Sequence, residues 1–310
     1  MKKSIITIGL KIYLSTIFLL KFIFSKKKFN LIIDFSKSPQ TLGDFIVFCI
    51  FSKLVSHKVN VLFLKYNKSL SRDANQYSLN YNRNFIKNIK KIYMKINKEK
   101  IKIIEKKNIY KIKNIIFYQR IIKKKRIYIF IYNVLPILWY FIPNKRNSFY
   151  IDLRQKQKKT KTIGISLRQA NYDKKRNMKI SDLKRILRIF KNNNINMKIE
   201  IFNKKKILLG SNFKNQNISF NEKIYDNLYL IFLKVIDCDL FICMQGDGLG
   251  VIRNHLKKPF IGFSEQYNFG KFKFQPWDLS KHFTYGDRNF KNKVQIMRNK
   301  LKYLLNNNLI

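Results

Sequence analysis

Short apolar runs alternate with longer amphipathic stretches along most of the chain. This alternation predicts strands separated by helices. Strand, helix and strand in succession form the βαβ unit of an α/β domain with a parallel sheet. In the first half the predicted elements are a strand over 29–35, a helix over 45–57, a strand over 59–64, a helix over 85–94, and short strands over 112–117 and 127–131.

The same alternation is clearer in the second half. Pro136, Pro143 and the polar run RQKQKKTKT interrupt the pattern between residues 136 and 161, and we expect a domain boundary there. The predicted fold class is α/β, with two Rossmann-like domains over 29–145 and 160–310 that face a cleft. The second domain is predicted to contain strands over 162–168, 197–202, 239–245 and 259–264, and helices over 181–192, 223–237, 251–256 and 294–306.

Residues 1–28 form a separate apolar and basic segment. The stretch over 5–24 is about as long as a bilayer-spanning helix, but it contains Lys11 and Lys21. Each lysine would cost roughly 2.5–3.5 kcal/mol at the centre of a bilayer. We therefore expect an apolar helix that lies on the inner membrane or anchors the chain there, with the rest of the protein in the cytoplasm. The alternative is an ordinary core helix of the first domain.

The formal net charge is +48, from 65 Lys and Arg against 17 Asp and Glu. Lys, Ile, Asn and Phe are abundant together, as AT-rich codons would produce, and the basic residues are spread along the whole chain. We therefore expect no nucleic-acid partner, although so basic a protein should be attracted to anionic membrane surfaces and phosphorylated ligands. The three cysteines and three histidines show no metal-binding spacing, so no metal is predicted.

Three of the ten glycines fall within five positions, at Gly246, Gly248 and Gly250, with Asp247 among them. They follow a predicted strand and precede a predicted helix, where open α/β sheets bind ligands. Glycine permits positive φ and close backbone approach, so successive N–H groups there can face an anion such as a diphosphate. The alternative is a tight turn with no ligand.

Other candidate residues follow the first strand of each predicted domain. Arg168 ends a strand, with Arg176 and Asn177 beyond it, and parallel strands would bring this loop beside the glycines. Arginine binds phosphate with two parallel hydrogen bonds, although Arg168 could also be one surface arginine among many. Asp44 begins a helix after the first strand. It is a candidate general base, and capping that helix is its alternative role.

The "GD" loop after the first strand and the segment "DCDLFICMQGDGLGVIRNHLKKPFIGF" resemble the GT-B glycosyltransferases, in particular the heptosyltransferases of lipopolysaccharide assembly. The segments "LRQANYDKKRN" and "DFSKSPQTLGDFIVF" also resemble uncharacterised GT-B-like proteins from surface-polysaccharide loci. The resemblance implies a nucleotide-sugar donor bound mainly by the second domain, a glycan or glycolipid acceptor bound by the first, and no essential metal. It matches Asp44 to the loop carboxylate, Arg168 to the basic residue after the second domain's first strand, and the glycines to the donor-phosphate loop. "MQGDGLG" departs from the family's "NDSGP".

The expected function is transfer of a sugar from a nucleotide-sugar donor to a growing surface glycan, without a metal or a separate cofactor. Asp44 would accept the hydroxyl proton, and Arg168 with the backbone amides of the glycine loop would stabilise the departing diphosphate. Glu265 could hydrogen-bond donor hydroxyls, or it could be a solvated loop carboxylate. The alternatives are a nucleic-acid-binding module, a sugar-nucleotide epimerase on the same fold, and a catalytically inactive membrane-bound scaffold.

Overall fold

The structure is a computed structural model, and its residues fall into two units divided between Ile151 and Asp152. The residues it describes are 25–34, 42–57, 59–64, 79–99, 101–118, 135, 138–140, 142–152, 160–167, 178–192, 197–204, 207–214, 216–244, 247–256, 258–263 and 299.

The first unit contains a parallel sheet flanked by helices. Its four strands lie in the order β3-β2-β1-β4, and every neighbouring pair is parallel. The elements are β1 (Phe29–Ile33), α1 (Leu42–Leu54), β2 (Val59–Leu64), α2 (Leu79–Asn97), β3 (Lys102–Ile104) and β4 (Ile115–Tyr118), with 3-10 helices over Lys106–Lys111 and Pro143–Phe149.

Helix α1 is the centre of this unit because its sequence is apolar on every side, which requires burial all round. It packs against α2 and the 3-10 helix Pro143–Phe149. Lys53 is its one residue that is not buried, and its Nζ donates a 2.8 Å hydrogen bond to the carbonyl of Tyr150. Phe45 and Tyr93 both lie about 6 Å from the ring of Phe63, at 6.0 and 6.1 Å between centroids.

The second unit contains a five-stranded sheet in the order β7-β6-β5-β8-β9, again parallel throughout. Its elements are β5 (Thr162–Ser166), α3 (Ile180–Asn192), β6 (Lys198–Phe202), β7 (Ile218–Phe220), α4 (Leu228–Asp237), β8 (Leu240–Met244), α5 (Gly248–Asn254) and β9 (Phe260–Phe263), with 3-10 helices over Ser211–Phe213 and Glu222–Ile224.

Alternate residues of the central strand β5 pack into different surroundings. Ile163 and Ile165 are fully buried in a core cluster that includes the buried apolar residues of α3. Gly164, between them, lies against the Phe241 ring and the Cys238 thiol. A Cβ at Gly164 would lie 2.6 Å from the ring and 2.7 Å from Sγ. Glycine is needed there for packing.

The predicted α/β class with parallel strands is confirmed, whereas several element boundaries differ. Helix α2 is longer than the predicted 85–94, and β3 was not predicted because it has only three residues. The predicted helix over 223–237 divides into a 3-10 turn and α4, because the Asn227 side chain caps α4 by accepting the Leu230 N–H at 3.1 Å.

Three predicted elements, over 5–24, 127–131 and 294–306, lie outside the described residues apart from Asn299. The membrane-associated helix therefore remains a prediction. No helix among the residues that the structure describes is long and apolar enough to cross a bilayer.

A fully buried arginine, Arg253 of α5, joins the end of α4 to the start of β9. Burial lowers its pKa to about 10, so the guanidinium remains charged at neutral pH. The carbonyls that end a helix lack intrahelical partners and attract cations. The guanidinium donates to four backbone carbonyls, those of Val235 at 3.3 Å, Cys238 at 2.8 Å, Asp239 at 3.3 Å and Pro259 at 2.7 Å.

We predict that Arg253→Met lowers the free energy of unfolding by at least about 2 kcal/mol. Each buried carbonyl that loses its donor costs about 1–3 kcal/mol, and two of the four bonds are short. Denaturant titration measures the change. Arg188→Met, at an exposed position of α3, is the matched control and should change stability by less than about 0.5 kcal/mol. Equal losses in the two variants would contradict this account of Arg253.

Candidate functional site

The order in which the chain adds strands to the second sheet reverses between β5 and β8. From β5 the chain proceeds to β6 and β7 on one side, and it returns to β8 and β9 on the other. Loops that leave the carboxyl ends of β5 and β8 therefore diverge, and open α/β sheets bind ligands in the crevice between such loops. Ser166 ends β5, and Asp247 follows β8.

Asp247 connects the two sides of this crevice. Its carboxylate is buried, with Oδ1 accepting the Leu249 N–H at 2.9 Å as the N-cap of α5. Oδ2 accepts a hydrogen bond from the Ser166 hydroxyl. One side chain thus caps α5 and connects the start of that helix to the end of β5.

The two described glycines of the triplet have helical backbones. Gly248 and Gly250 both lie in α5, and Gly210 is the one glycine of the described residues with positive φ. Neither Gly248 nor Gly250 uses the positive φ that glycine permits. The close approach at Gly250 is to a side chain, because a Cβ there would lie 2.7 Å from the Cys243 sulfur. This glycine lets α5 pack directly on β8.

The Cys243 thiol beneath Gly250 is a packing group. Burial raises its pKa well above the usual value and the Asp247 carboxylate raises it further, while Arg253 acts in the opposite direction. A thiol with a raised pKa stays protonated and is a poor nucleophile. Cys243 therefore offers no covalent chemistry at this site.

Five of the predicted site residues, Arg168, Arg176, Asn177, Gly246 and Glu265, lie outside the described residues, and their roles remain predictions. The structure does describe Leu167, immediately before Arg168. Leu167 is buried, and its N–H donates to the carbonyl of Phe202 at 3.2 Å. The loop that carries Arg168 therefore begins at the carboxyl edge of β5, beside Ser166.

Two carboxylates are buried in the described part of the first unit. Asp44 is 4% exposed, in the first turn of α1, where a negative charge interacts favourably with the helix dipole. Asp34 directly follows β1 and is 3% exposed. Asp34 was not predicted as a site residue, because the apolar run "FNLIIDF" includes it in a strand. A buried carboxylate at the carboxyl end of a parallel strand makes Asp34 a second candidate for a base.

Another buried carboxylate, Glu200 of β6, is explained by its neighbours. Lys198 Nζ lies 2.7 Å and Lys234 Nζ 3.2 Å from its oxygens. Burial alone would raise its pKa, but the two lysines outweigh burial and lower it.

No candidate metal site is present among the described residues. Their His, Cys, Asp and Glu side chains form no group of three or more that could hold a metal ion.

No family model and no curated protein matches the sequence. The structure resembles that of the E. coli ADP-heptose lipopolysaccharide heptosyltransferase II, with a TM-score of 0.52 at 9% identity, over 91% of this chain and 100% of that one. The chain has a heptosyltransferase-like fold. The resemblance predicted from the sequence is thereby confirmed.

Two further solved structures are similar over most of the chain. A family 9 glycosyl transferase from Veillonella parvula has a TM-score of 0.39 at 13% identity, over 76% of this chain and 80% of that one. The E. coli heptosyltransferase WaaC, solved with ADP-2-deoxy-2-fluoro heptose, has a TM-score of 0.42 at 9% identity, over 90% and 99%.

We predict that Gly250→Ala destabilises the protein by about 1–3 kcal/mol, because the new methyl group overlaps the Cys243 sulfur. In a Cys243→Ala background the nearest remaining atoms lie 3.8 Å or more from that methyl group. The same substitution should there be neutral or stabilising, since alanine favours a helix over glycine by about 1 kcal/mol. Thermal melts of the four proteins test this. An unchanged cost in the Cys243→Ala background would contradict it.

Proposed function

We propose that the protein is a glycosyltransferase that moves a sugar from a nucleotide-sugar donor to a surface glycan or glycolipid of the lipopolysaccharide or capsule type. The observation that carries the proposal is the Ser166–Asp247 pair at the switch point of a heptosyltransferase-like second sheet. The reaction takes place on the cytoplasmic face of the inner membrane. It uses no metal ion and no cofactor besides the donor.

The donor's diphosphate binds at the carboxyl edge of β5 and β8. Arg168 supplies a planar guanidinium, and backbone amides around Gly246, Gly248 and Gly250 supply further donors. Arg176 and Asn177 complete this phosphate site, and Glu265 accepts hydrogen bonds from the sugar hydroxyls. These assignments follow from the order of the residues along the chain and from the edge of the sheet at which their loops begin.

The Asp247 carboxylate places a negative charge beside the proposed phosphate site. Asp247 is buried and bonded to Leu249 N–H and Ser166, so its carboxylate takes up one of the first amides of α5. A diphosphate beside a carboxylate is repelled unless cations intervene. Arg168 and Arg176 offset that repulsion in this proposal, and Asp247 positions the loop for the phosphate.

Transfer is a displacement at the anomeric carbon of the donor sugar. The acceptor hydroxyl oxygen forms the new bond to that carbon while the bond from carbon to phosphate oxygen breaks. The bonding electron pair leaves with the nucleoside diphosphate, whose charge Arg168 and the loop amides stabilise. The hydroxyl proton passes to Asp44 as general base.

ADP is the first probe of the donor site, because the similar E. coli enzyme is described as acting with ADP-heptose. We predict that the protein binds ADP and that Arg168→Gln weakens binding at least about tenfold, as expected for a lost charge-assisted hydrogen bond. Titration calorimetry measures both affinities. Arg188→Gln removes an equal charge from the exposed face of α3, and it should leave ADP affinity unchanged.

Two outcomes of that titration count against the donor site. Equal weakening by Arg168→Gln and Arg188→Gln would attribute binding to the general basicity of the chain. An RNA oligomer that binds tightly while ADP does not bind would support the nucleic-acid alternative instead.

We predict that Asp44→Asn slows sugar transfer by at least about a hundredfold, because the amide cannot accept the hydroxyl proton, and that ADP affinity is unchanged. Asp34→Asn is the matched variant, since Asp34, which directly follows β1, is as buried as Asp44. It should retain most of the activity. If only Asp34→Asn abolished transfer, Asp34 would be the base and the role of Asp44 would be its favourable interaction with the α1 dipole.

A further inference from the structure

The exposed face of α2 carries a continuous row of lysines. Lys87, Lys91 and Lys95 follow each other at intervals of four residues, so they project from one face of the helix, and all three are exposed. Lys98, directly after the end of the helix, is also exposed. The opposite face holds the buried residues Phe85, Ile89, Ile92, Tyr93 and Ile96, which pack into the first unit.

The positive charge is concentrated around this helix beyond the chain's general excess. Residues 87–113 contain eleven lysines and two glutamates, a net +9, whereas the +48 of the 310 residues averages about +4 for 27 residues. One of the two glutamates, Glu105, lies 3.1 Å from the Nζ of Lys107. The net charge of this segment is thus about twice the chain's average for the same length. We call its exposed side chains the basic surface (residues 87–113).

Large apolar side chains are exposed within the same segment. Met94 is 37% exposed in the middle of the lysine row, Ile103 of β3 is 42% exposed, and Tyr110 is 79% exposed. Of the first unit's described large apolar residues, only Tyr140 is also exposed. Lysines that surround exposed apolar groups are typical of surfaces that lie in the headgroup region of a bilayer.

We propose that the basic surface docks the first unit onto an anionic lipid bilayer. The ammonium groups of the lysines contact lipid phosphates, while Met94, Ile103 and Tyr110 enter the headgroup region. The composition favours lipid over nucleic acid, because the segment has no arginine, whose planar guanidinium both binds base edges with two hydrogen bonds and stacks on bases. The basic surface is the part of the protein that would contact the inner membrane, where we propose that the reaction takes place. This binding does not depend on whether the protein transfers sugar.

Binding of the full chain to vesicles tests the proposal. Vesicles of phosphatidylcholine alone are compared with vesicles that also contain phosphatidylglycerol, at roughly 0.1 M salt, where the Debye length is about 10 Å. We expect strong preference for the anionic vesicles. Each lysine near such a surface strengthens binding about fivefold, so the triple variant Lys87→Gln, Lys95→Gln, Lys98→Gln should bind on the order of a hundredfold more weakly.

A matched triple variant separates this surface from overall charge. Lys184→Gln, Arg188→Gln, Lys191→Gln removes three positive charges from α3 of the second unit, and each triple variant has a net charge of +45 in place of +48. The α3 variant should lose less than about threefold. Met94→Ser keeps the charge and should weaken vesicle binding severalfold, with the loss persisting at high salt.

Several results would overturn the proposal. They are equal losses from the two triple variants, no loss from either, or no preference of the unaltered chain for anionic vesicles. Loss of binding to an RNA oligomer in the α2 variant, with vesicle binding unchanged, would assign the surface to nucleic acid.

Melting temperatures within a few degrees of that of the unaltered protein verify that the variants fold. If the α2 triple variant unfolds, the single variants Lys87→Gln and Lys95→Gln replace it, each with an expected loss of about fivefold.

Discussion

The hydrogen bond between Ser166 and Asp247 joins two strands whose connections lead away from each other. This bond connects the end of β5 to the residue that precedes α5. Because the same carboxylate caps α5 through Leu249, the start of that helix is fixed relative to the end of β5. The proposed site depends on this one buried carboxylate, since every assigned phosphate ligand lies either on the loop after β5 or between β8 and the middle of α5.

Helix α5 has seven residues, too few to be stable alone, so it depends on its tertiary contacts. At one end Asp247 caps it, and in the middle Gly250 packs against the Cys243 sulfur. Near its other end, Arg253 donates to the carbonyls around the end of α4 and the start of β9. Each of these three contacts requires its residue type, a carboxylate, a glycine or a guanidinium. Most of the surrounding core consists of aliphatic and aromatic side chains that can replace one another.

Sequence periodicity was sufficient for the parallel α/β organisation, because buried strands such as "TIGIS" and "LFICM" are apolar runs of the right length. It placed the glycines between a strand and a helix, although Gly248 and Gly250 lie within α5. It could not identify Ser166, a single polar residue at the end of an apolar strand, since its partner is 81 residues away. It explained the glycines by positive φ and close approach to an anion, whereas Gly250 is required by a sulfur atom on a neighbouring strand, a contact that no local pattern contains.

The proposed donor site requires that a nucleoside diphosphate bind across the carboxyl ends of β5 and β8. Hydrogen exchange of the backbone amides, measured with and without ADP, tests this requirement because it reports where the ligand acts. Slower exchange in peptides that cover 163–178 and 243–252 is the predicted result. Slower exchange confined to the first unit, or no change anywhere in the chain at saturating ADP, would contradict it.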